Sequence, residues 1–134
     1  MNNLQSCVIP YFYYYENIMR TKSSGTTEHI VRYADMFAAM GTESRLRITQ
    51  LLLKAHPEGL VVGDIGSELD IPNSTLSHHL EKLKAEDLVR VRREGTFLWY
   101  SSNTDTLREL LGFLYAECCT RNHVVKPEDI SCCR

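Results

Sequence analysis

Apolar residues recur at helical spacing in five stretches of the chain, which predicts five helices. Residues 28–40 and 43–55 show this spacing, and Gly41 and Thr42 separate them. Residues 61–69 predict a short helix, and residues 73–87 predict a longer helix with Asn73 as its N-cap. A last amphipathic helix is expected over residues 105–121, with Asp105 as its cap.

A β-hairpin is predicted before the last helix. Residues 88–101 alternate in polarity, and Glu94–Gly95 occupies the place of a tight turn. Val89 and Val91 are expected to point inward, with Arg90 on the other face. A short helix, a turn, a longer helix and a hairpin follow one another in a winged helix-turn-helix. We therefore predict a mostly α fold with a β-hairpin wing (α+β).

The chain of 134 residues suits one folded domain. We expect a leader and linker over residues 1–25, a DNA-binding and dimerisation domain over 26–121, and a cysteine-containing tail over 122–134. No apolar run approaches the roughly 20 residues of a membrane span, and the start does not look like a signal peptide, so we expect a cytoplasmic protein with no membrane partner. The net charge of −2 means that any DNA contact must come from a local basic patch.

The helix over residues 73–87 has one apolar face and one polar face. Leu76, Leu80 and Leu83 share the apolar face, Ser74 and His78 lie opposite, and His79 is expected to be half-buried. Short hydroxyl and imidazole side chains can reach base edges and phosphates. This face is therefore a candidate for reading DNA.

Four of the five cysteines form two adjacent pairs, Cys118–Cys119 and Cys132–Cys133. In a reducing compartment, clustered cysteines indicate metal binding or redox chemistry more than structural disulfides. Thiolates are soft ligands that select soft ions.

Three runs of the sequence, GTESRLRITQLLL, IPNSTLSHHLEKLKAEDLVRVRREGTFLWY and LLGFLYAECC, resemble the ArsR/SmtB family of metal- and metalloid-responsive repressors. The resemblance covers residues 28–120. It implies a winged-helix homodimer that binds double-stranded operator DNA and releases it when an effector binds. One departure is Asp87, where the family usually has Gly, because a residue after a helix end often needs a positive φ.

The resemblance also assigns residues to the DNA interface. Ser74, Thr75, Ser77 and His78 match the DNA-contacting helix of the family, and Arg92, Arg93 and Gly95 match its wing. We add Asn73 and Lys82, on the same helix, to the candidate DNA-binding residues. We expect the helices over residues 28–40 and 105–119 to form the dimer, since they hold more apolar residues than a small core needs.

Two sensor sites of the family are not matched. Val61 and Gly63 stand where one class of thiol sensors has cysteines, and Leu107 stands where zinc sensors have a histidine. The Cys118–Cys119 pair resembles that of arsenite-responsive members. We therefore expect As(III), or Sb(III), to bind as effector to Cys118 and Cys119, and no catalytic cofactor. The third thiol could come from Cys132, Cys133, Cys7 or a partner chain.

Three alternatives remain open for the cysteines. The first is a tail whose cysteines bind no ligand. Cys118 or Cys119 could pair with a tail cysteine in a redox switch, or the cluster could bind zinc or cadmium, with His123 as a further ligand. An enzyme with a reactive thiol is disfavoured, because a helix C-terminus disfavours the thiolate.

Overall fold

The computed structural model of the protein describes residues 26–116, and the side chains of residues 28–114. In chain order the elements are α1 Thr26–Met40, α2 Glu43–Lys54, β1 Leu60–Val61, α3 Val62–Leu69, α4 Asn73–Ala85, β2 Val89–Glu94, β3 Phe97–Ser102 and α5 Thr104–Ala116. This order confirms the predicted winged helix-turn-helix fold. None of the helices in the described range is long and apolar enough to cross a membrane.

Residues Ile30–Leu110 form one compact unit. A second unit includes, among the described residues, the first turn of α1 and the last turns of α5. The core of the first unit is built around α4. Its fully buried apolar side chains come from every helix of that unit, from β2 and from the turn before β2, and they are Met36, Ile48, Leu52, Ile65, Leu76, Leu80, Leu83, Leu88, Val89 and Leu110. Burying a side chain of this size stabilises a fold by about 1.5–3 kcal/mol.

The sheet has three antiparallel strands in the order β1-β3-β2. The short strand β1, in which Leu60 pairs with Tyr100, was missed because two residues are too few to show alternation. The turn also differs from the prediction by one position. Glu94 pairs with Phe97, so Gly95 and Thr96 form the turn, and Gly95 has the positive φ of 62° that a tight hairpin requires.

The two β2 valines that were predicted to point inward differ in burial. Val89 is 2% exposed, whereas Val91 is 37% exposed. Every residue of β2 after Val89 is exposed, although Tyr100, which pairs with Val91, is buried. The predicted inward direction thus agrees with the register for both valines, but only Val89 is buried.

Two predicted helix caps are one or two residues away from the observed caps. The N-cap of α4 is Pro72, whose carbonyl accepts the first helical hydrogen bond from Leu76 N at 2.8 Å, so Asn73 is the first helical residue. At the start of α5, Asn103 accepts a hydrogen bond from Thr106 N through its side-chain oxygen, at 3.5 Å. Asp105 therefore does not cap this helix, and its carboxylate lies near arginines instead.

Candidate nucleic-acid interface

The helix-turn-helix consists of α3, the turn over residues 70–72, and α4. Asp70 ends α3 with a positive φ of 54°, and Ile71 N donates to Gly66 O at 3.0 Å. A Cβ atom at Gly66 would lie 3.0 Å from the side-chain oxygen of Asn73 and 3.1 Å from the carbonyl oxygen of Ile71. Gly66 therefore allows the two helices to approach closely.

The face of α4 opposite its three buried leucines is exposed to solvent. The candidate DNA-contacting side chains on this helix are all exposed, and they are Asn73, Ser74, Thr75, Ser77, His78 and Lys82. Ser77 Oγ donates to the carbonyl oxygen of Asn73 at 2.8 Å, so its hydroxyl can still accept a hydrogen bond from a partner. The fold thus presents short polar groups on a helix that is firmly packed from behind.

The two histidines of α4 lie in different environments. His78 is exposed, while His79 is half-buried as predicted, and their ring centroids are 6.3 Å apart. Burial lowers the pKa of His79, and the nearby charge of Arg45 and the neighbouring His78 lower it further. Its Nδ1 atom is buried and has no hydrogen-bond partner among residues 26–116. His79 is therefore partly packed against the protein, and His78 is the exposed histidine of the two.

The arginines of the wing are exposed, but each has an acceptor within the protein. Arg92 Nε lies 2.8 Å from Glu94 Oε1, and the guanidinium group lies 5.9 Å from the ring centroid of Trp99. Arg93 Nε donates to Gly95 O at 3.1 Å. Arg90 lies 3.6 Å from a carboxylate oxygen of Asp105.

These wing contacts were not foreseen. The pairing of Arg92 with Trp99 follows from the hairpin register, which a correct turn position would have revealed. The contact between Arg90 and Asp105 depends on tertiary structure, which no local pattern shows. A guanidinium group within about 6 Å of an aromatic ring is attracted to the ring, and exposed guanidinium donors suit phosphate or a narrow minor groove.

The predicted effector ligands, Cys118, Cys119, Cys132 and Cys133, lie outside the described residues. Within residues 26–116 no group of three or more histidine, cysteine, aspartate or glutamate side chains is placed to hold a metal ion.

An anchored helix with an exposed polar face, preceded by a shorter helix and followed by an arginine-bearing hairpin, defines a DNA-binding regulator of the winged helix-turn-helix class. The comparisons with known proteins agree. Residues 40–92 match a family described as a helix-turn-helix domain.

Three relatives illustrate the similarity. The nodulation protein NolR of Rhizobium meliloti is 37% identical over 81 residues, which cover 60% of this chain and 64% of that protein. An HTH-type transcriptional regulator of Methanocaldococcus jannaschii is 37% identical over 84 residues, or 63% of this chain and 92% of that protein. A cadmium resistance regulator, a CadC homolog of Staphylococcus aureus, is 26% identical over 78% of this chain and 84% of its own length. The match to NolR thus spans less than two thirds of that relative.

Two solved structures share the fold. NolR from Sinorhizobium fredii has a TM-score of 0.55 at 31% identity, covering 72% of this chain and 96% of that one. A homodimeric winged helix-turn-helix domain from Mycobacterium bovis, described as a possible ArsR-family regulator, has a TM-score of 0.55 at 26% identity, covering 79% of this chain and 99% of that one.

The chain belongs to the ArsR/SmtB family of transcriptional regulators. Its relatives are regulators with a DNA-binding fold, and it is not an enzyme.

Proposed function

We propose that this protein is a homodimeric cytoplasmic repressor that leaves its operator when arsenite, or antimonite, binds its C-terminal cysteines. The observation that carries the DNA-binding half of the proposal is the geometry of α4. Three leucines with no exposed surface hold the helix from behind, and its polar side chains face solvent in front. Rigid presentation of this kind favours the direct reading of base edges in the major groove.

The wing supplies the second DNA contact in this proposal. Arg92 and Arg93 are exposed near the tip of the hairpin and reach the phosphates, or the minor groove, beside the site of α4. The chain as a whole has a net charge of −2, so affinity depends on these few local charges.

A second copy of the chain is the proposed partner of α1 and α5. On α1, Ile30 is 54% exposed, Val31 is 55% exposed and Phe37 is 38% exposed. On α5, Leu111 is 53% exposed and Leu114 is 49% exposed. Helical faces with this much exposed apolar surface indicate association. The homodimeric relative from Mycobacterium bovis supports the same assembly.

The dimer is tested by sedimentation velocity on the full chain at micromolar concentration. We expect a dimer for the wild type and a monomer for Phe37→Glu, which places a charge on the exposed face of α1. Glu28→Gln, on the same helix, is the control and should remain dimeric. A monomeric wild type would overturn the assembly.

The proposed effector site consists of Cys118 and Cys119 with Cys132 or Cys133. The chemistry of the donors supports it, because three thiolates suit a thiophilic ion such as As(III) or Sb(III). The tail is long enough to bring a cysteine back to the first pair, since closing a loop of about a dozen residues has only a modest entropic cost. Thiols must lose their protons to bind, so effector affinity should rise with pH toward their pKa.

Release of DNA requires coupling between the two sites. If arsenite weakens DNA binding, DNA must weaken arsenite binding by the same factor, and such couplings are typically about 1–3 kcal/mol. The cysteines follow α5 in the sequence, so binding there would act on a helix that we also assign to the dimer.

The decisive experiment is fluorescence anisotropy of labelled operator, titrated with arsenite under a reductant that does not chelate arsenic. We expect the Cys118→Ser/Cys119→Ser variant to bind DNA normally and to ignore arsenite. Loss of both tail cysteines should weaken release, and Cys7→Ser is the control that should respond like the wild type.

The alternatives give different results in the same titration. If the double variant still releases DNA, the sensor lies elsewhere. A wild type that responds to oxidant but not to arsenite is a redox regulator, and one that responds to zinc or cadmium is a metal sensor of the same fold.

A further inference from the structure

Asp87 lies just after the reading helix α4 and has a positive φ of 56°. Its N–H donates to Lys84 O at 3.0 Å, and the next residue, Leu88, donates to Leu83 O at 3.0 Å. This is the usual pattern at a helix end, and glycine is the residue that such a position favours because it has no Cβ. Aspartate therefore costs stability here unless its side chain gains a contact.

The side chain of Asp87 does gain a contact. Thr106 Oγ1 donates to Asp87 Oδ2 at 3.2 Å, although the two residues are 19 positions apart. Thr106 is 4% exposed and lies in the first turn of α5. A glycine could not make this contact, so the carboxylate links the end of the reading helix to the start of α5.

Asn103 completes the link from the other side. It is 1% exposed, and its amide nitrogen donates to the backbone carbonyl of Asp87 at 2.9 Å and to Thr106 Oγ1 at 2.8 Å. Its side-chain oxygen accepts from Thr106 N, and its backbone N–H donates to Leu88 O at 3.0 Å. Both amide hydrogens and the oxygen of this side chain are therefore used, which fits asparagine and excludes aspartate.

These three residues, Asp87, Asn103 and Thr106, form a hydrogen-bonded joint between the reading helix and α5. Asn103 and Thr106 are buried, whereas Asp87 is exposed. A departure from this geometry would leave the buried amide and hydroxyl groups without partners, which favours the observed arrangement. The joint therefore fixes the direction of the reading helix relative to the start of α5.

We infer that the joint of Asp87, Asn103 and Thr106 is a positioning device that sets the half-site spacing the dimer can bind. The inference rests on the proposed dimeric binding of operator DNA. Two reading helices must meet major grooves about 34 Å apart, and a shift of one base pair moves a half-site by about 3.4 Å. A rigid joint makes the dimer intolerant of that shift, whereas a loosened joint tolerates it.

Asp87→Gly is the variant that separates positioning from folding. Glycine suits the positive φ, so the fold should be retained, but the carboxylate contact with Thr106 is lost. Asp87→Asn keeps an oxygen that can accept from Thr106 and should behave like the wild type. Asp70→Gly makes the same backbone change at another aspartate with a positive φ, outside the joint.

The operator is first selected from randomised duplex DNA with the full wild-type chain. Affinity is then measured for the selected duplex, for versions lengthened or shortened by one base pair between half-sites, and for a single half-site. From the net value of one hydrogen bond, we expect Asp87→Gly to lose about 2- to 10-fold on the selected duplex. It should also discriminate less between spacings and bind the single half-site like the wild type.

A second pair of variants tests the joint without a change of backbone. Thr106→Val removes the hydroxyl group and should reproduce the Asp87→Gly result, while Thr106→Ser keeps the hydroxyl and should restore spacing discrimination. Thermal unfolding of each variant accompanies the binding data.

Each result decides a specific point. Unchanged spacing discrimination in Asp87→Gly and Thr106→Val overturns the inference and leaves the proposed function intact. Equal losses on the single half-site and the full duplex mean that the joint has only a structural role, which also overturns the inference. A wild type with no preference for two half-sites contradicts dimeric operator binding, and the inference with it.

Discussion

The reading helix and the wing are held in opposite ways. The inner face of α4 has three leucines with no exposed surface, and its outer hydroxyls and His78 face solvent. The hairpin is exposed from Arg90 to Leu98, and its arginines contact acceptors within the protein. The helix is thus held rigidly and its polar side chains are exposed. The wing is loosely packed, and its arginines contact acceptors within the protein. Discrimination between DNA sequences should therefore depend on the helix, and affinity for DNA of any sequence should depend on the wing.

The largest difference between the two regions should appear in the free energy of unfolding that is lost when a side chain is truncated. Leu80→Ala removes a fully buried side chain from the back of the helix and should lower the free energy of unfolding by about 2–5 kcal/mol. Leu98→Ala removes a side chain that is 42% exposed in the wing and should lower it by only about 0.5 kcal/mol. Urea unfolding measures both. Equal losses would contradict the contrast in anchoring.

Specific DNA binding should depend most on the outer face of the helix. Ser74→Ala and His78→Ala should each cost about 1–3 kcal/mol on the selected operator, because each removes a group that we propose to contact bases. Ser67→Ala and His56→Ala are the matched controls, since they make the same chemical changes at exposed residues outside α4. Wild-type affinity in both helix variants would contradict the assignment of α4 as the reading helix.

The wing should act on all DNA sequences alike. Arg92→Ala should weaken binding to operator and to unrelated duplex by similar factors, and lower the slope of log affinity against log salt by about 0.9 if it neutralises one phosphate. Titrations at several salt concentrations measure the slope. A loss confined to the operator would mean that Arg92 reads bases.

A smaller and opposite effect is expected from the acid beside this arginine. Glu94 competes with phosphate for the charge of Arg92, whose Nε lies 2.8 Å from Glu94 Oε1, so Glu94→Gln should raise affinity by about 1.5- to 5-fold, in line with the modest value of an exposed ion pair. Glu58→Gln removes the same charge at another exposed residue and controls for general repulsion. If Glu94→Gln raises DNA affinity as much in an Arg92→Ala background, Glu94 does not act by competing with DNA for Arg92.

The smallest effect should appear in how the stability of the fold depends on pH. The pKa of His79 is lowered in the folded protein, first by burial and then by Arg45 and His78. The unfolded chain therefore takes up this proton at a higher pH than the folded one, and stability should fall as pH falls through the usual histidine value of about 6.5, then level off below the folded pKa. His79→Gln should flatten this slope in unfolding curves between those pH values. If the slope is unchanged in His79→Gln, the pH dependence of stability arises from other groups.

The residues that sequence analysis placed well are those whose position depends on local periodicity. Leu76, Leu80 and Leu83 are buried, His78 is exposed and His79 lies between, as helical spacing requires. The positive φ foreseen at Asp87 is also present.

What sequence analysis missed depends on contacts between distant residues. The joint brings Asn103 and Thr106 to a residue at least 16 positions away, and Arg90 meets Asp105 across a helix start. No local pattern reports such distances. The asparagine cap of α5 was accessible in principle, because asparagine is a favoured N-cap, but Asp105 offered a competing signal two residues later.

The strand order has a consequence for aggregation. In the described part of the chain, β2 is an outer strand with a hydrogen-bonded neighbour on one side only. A bare outer strand can recruit the same strand of another molecule, and charged side chains oppose such pairing. Arg90, Arg92 and Arg93 occupy half of the six positions of β2, so this edge carries charges of the kind that oppose such pairing. Replacing all three arginines with neutral residues would leave β2 without charges that oppose pairing between molecules. Poor solubility of such a variant would then have a cause other than the loss of DNA binding.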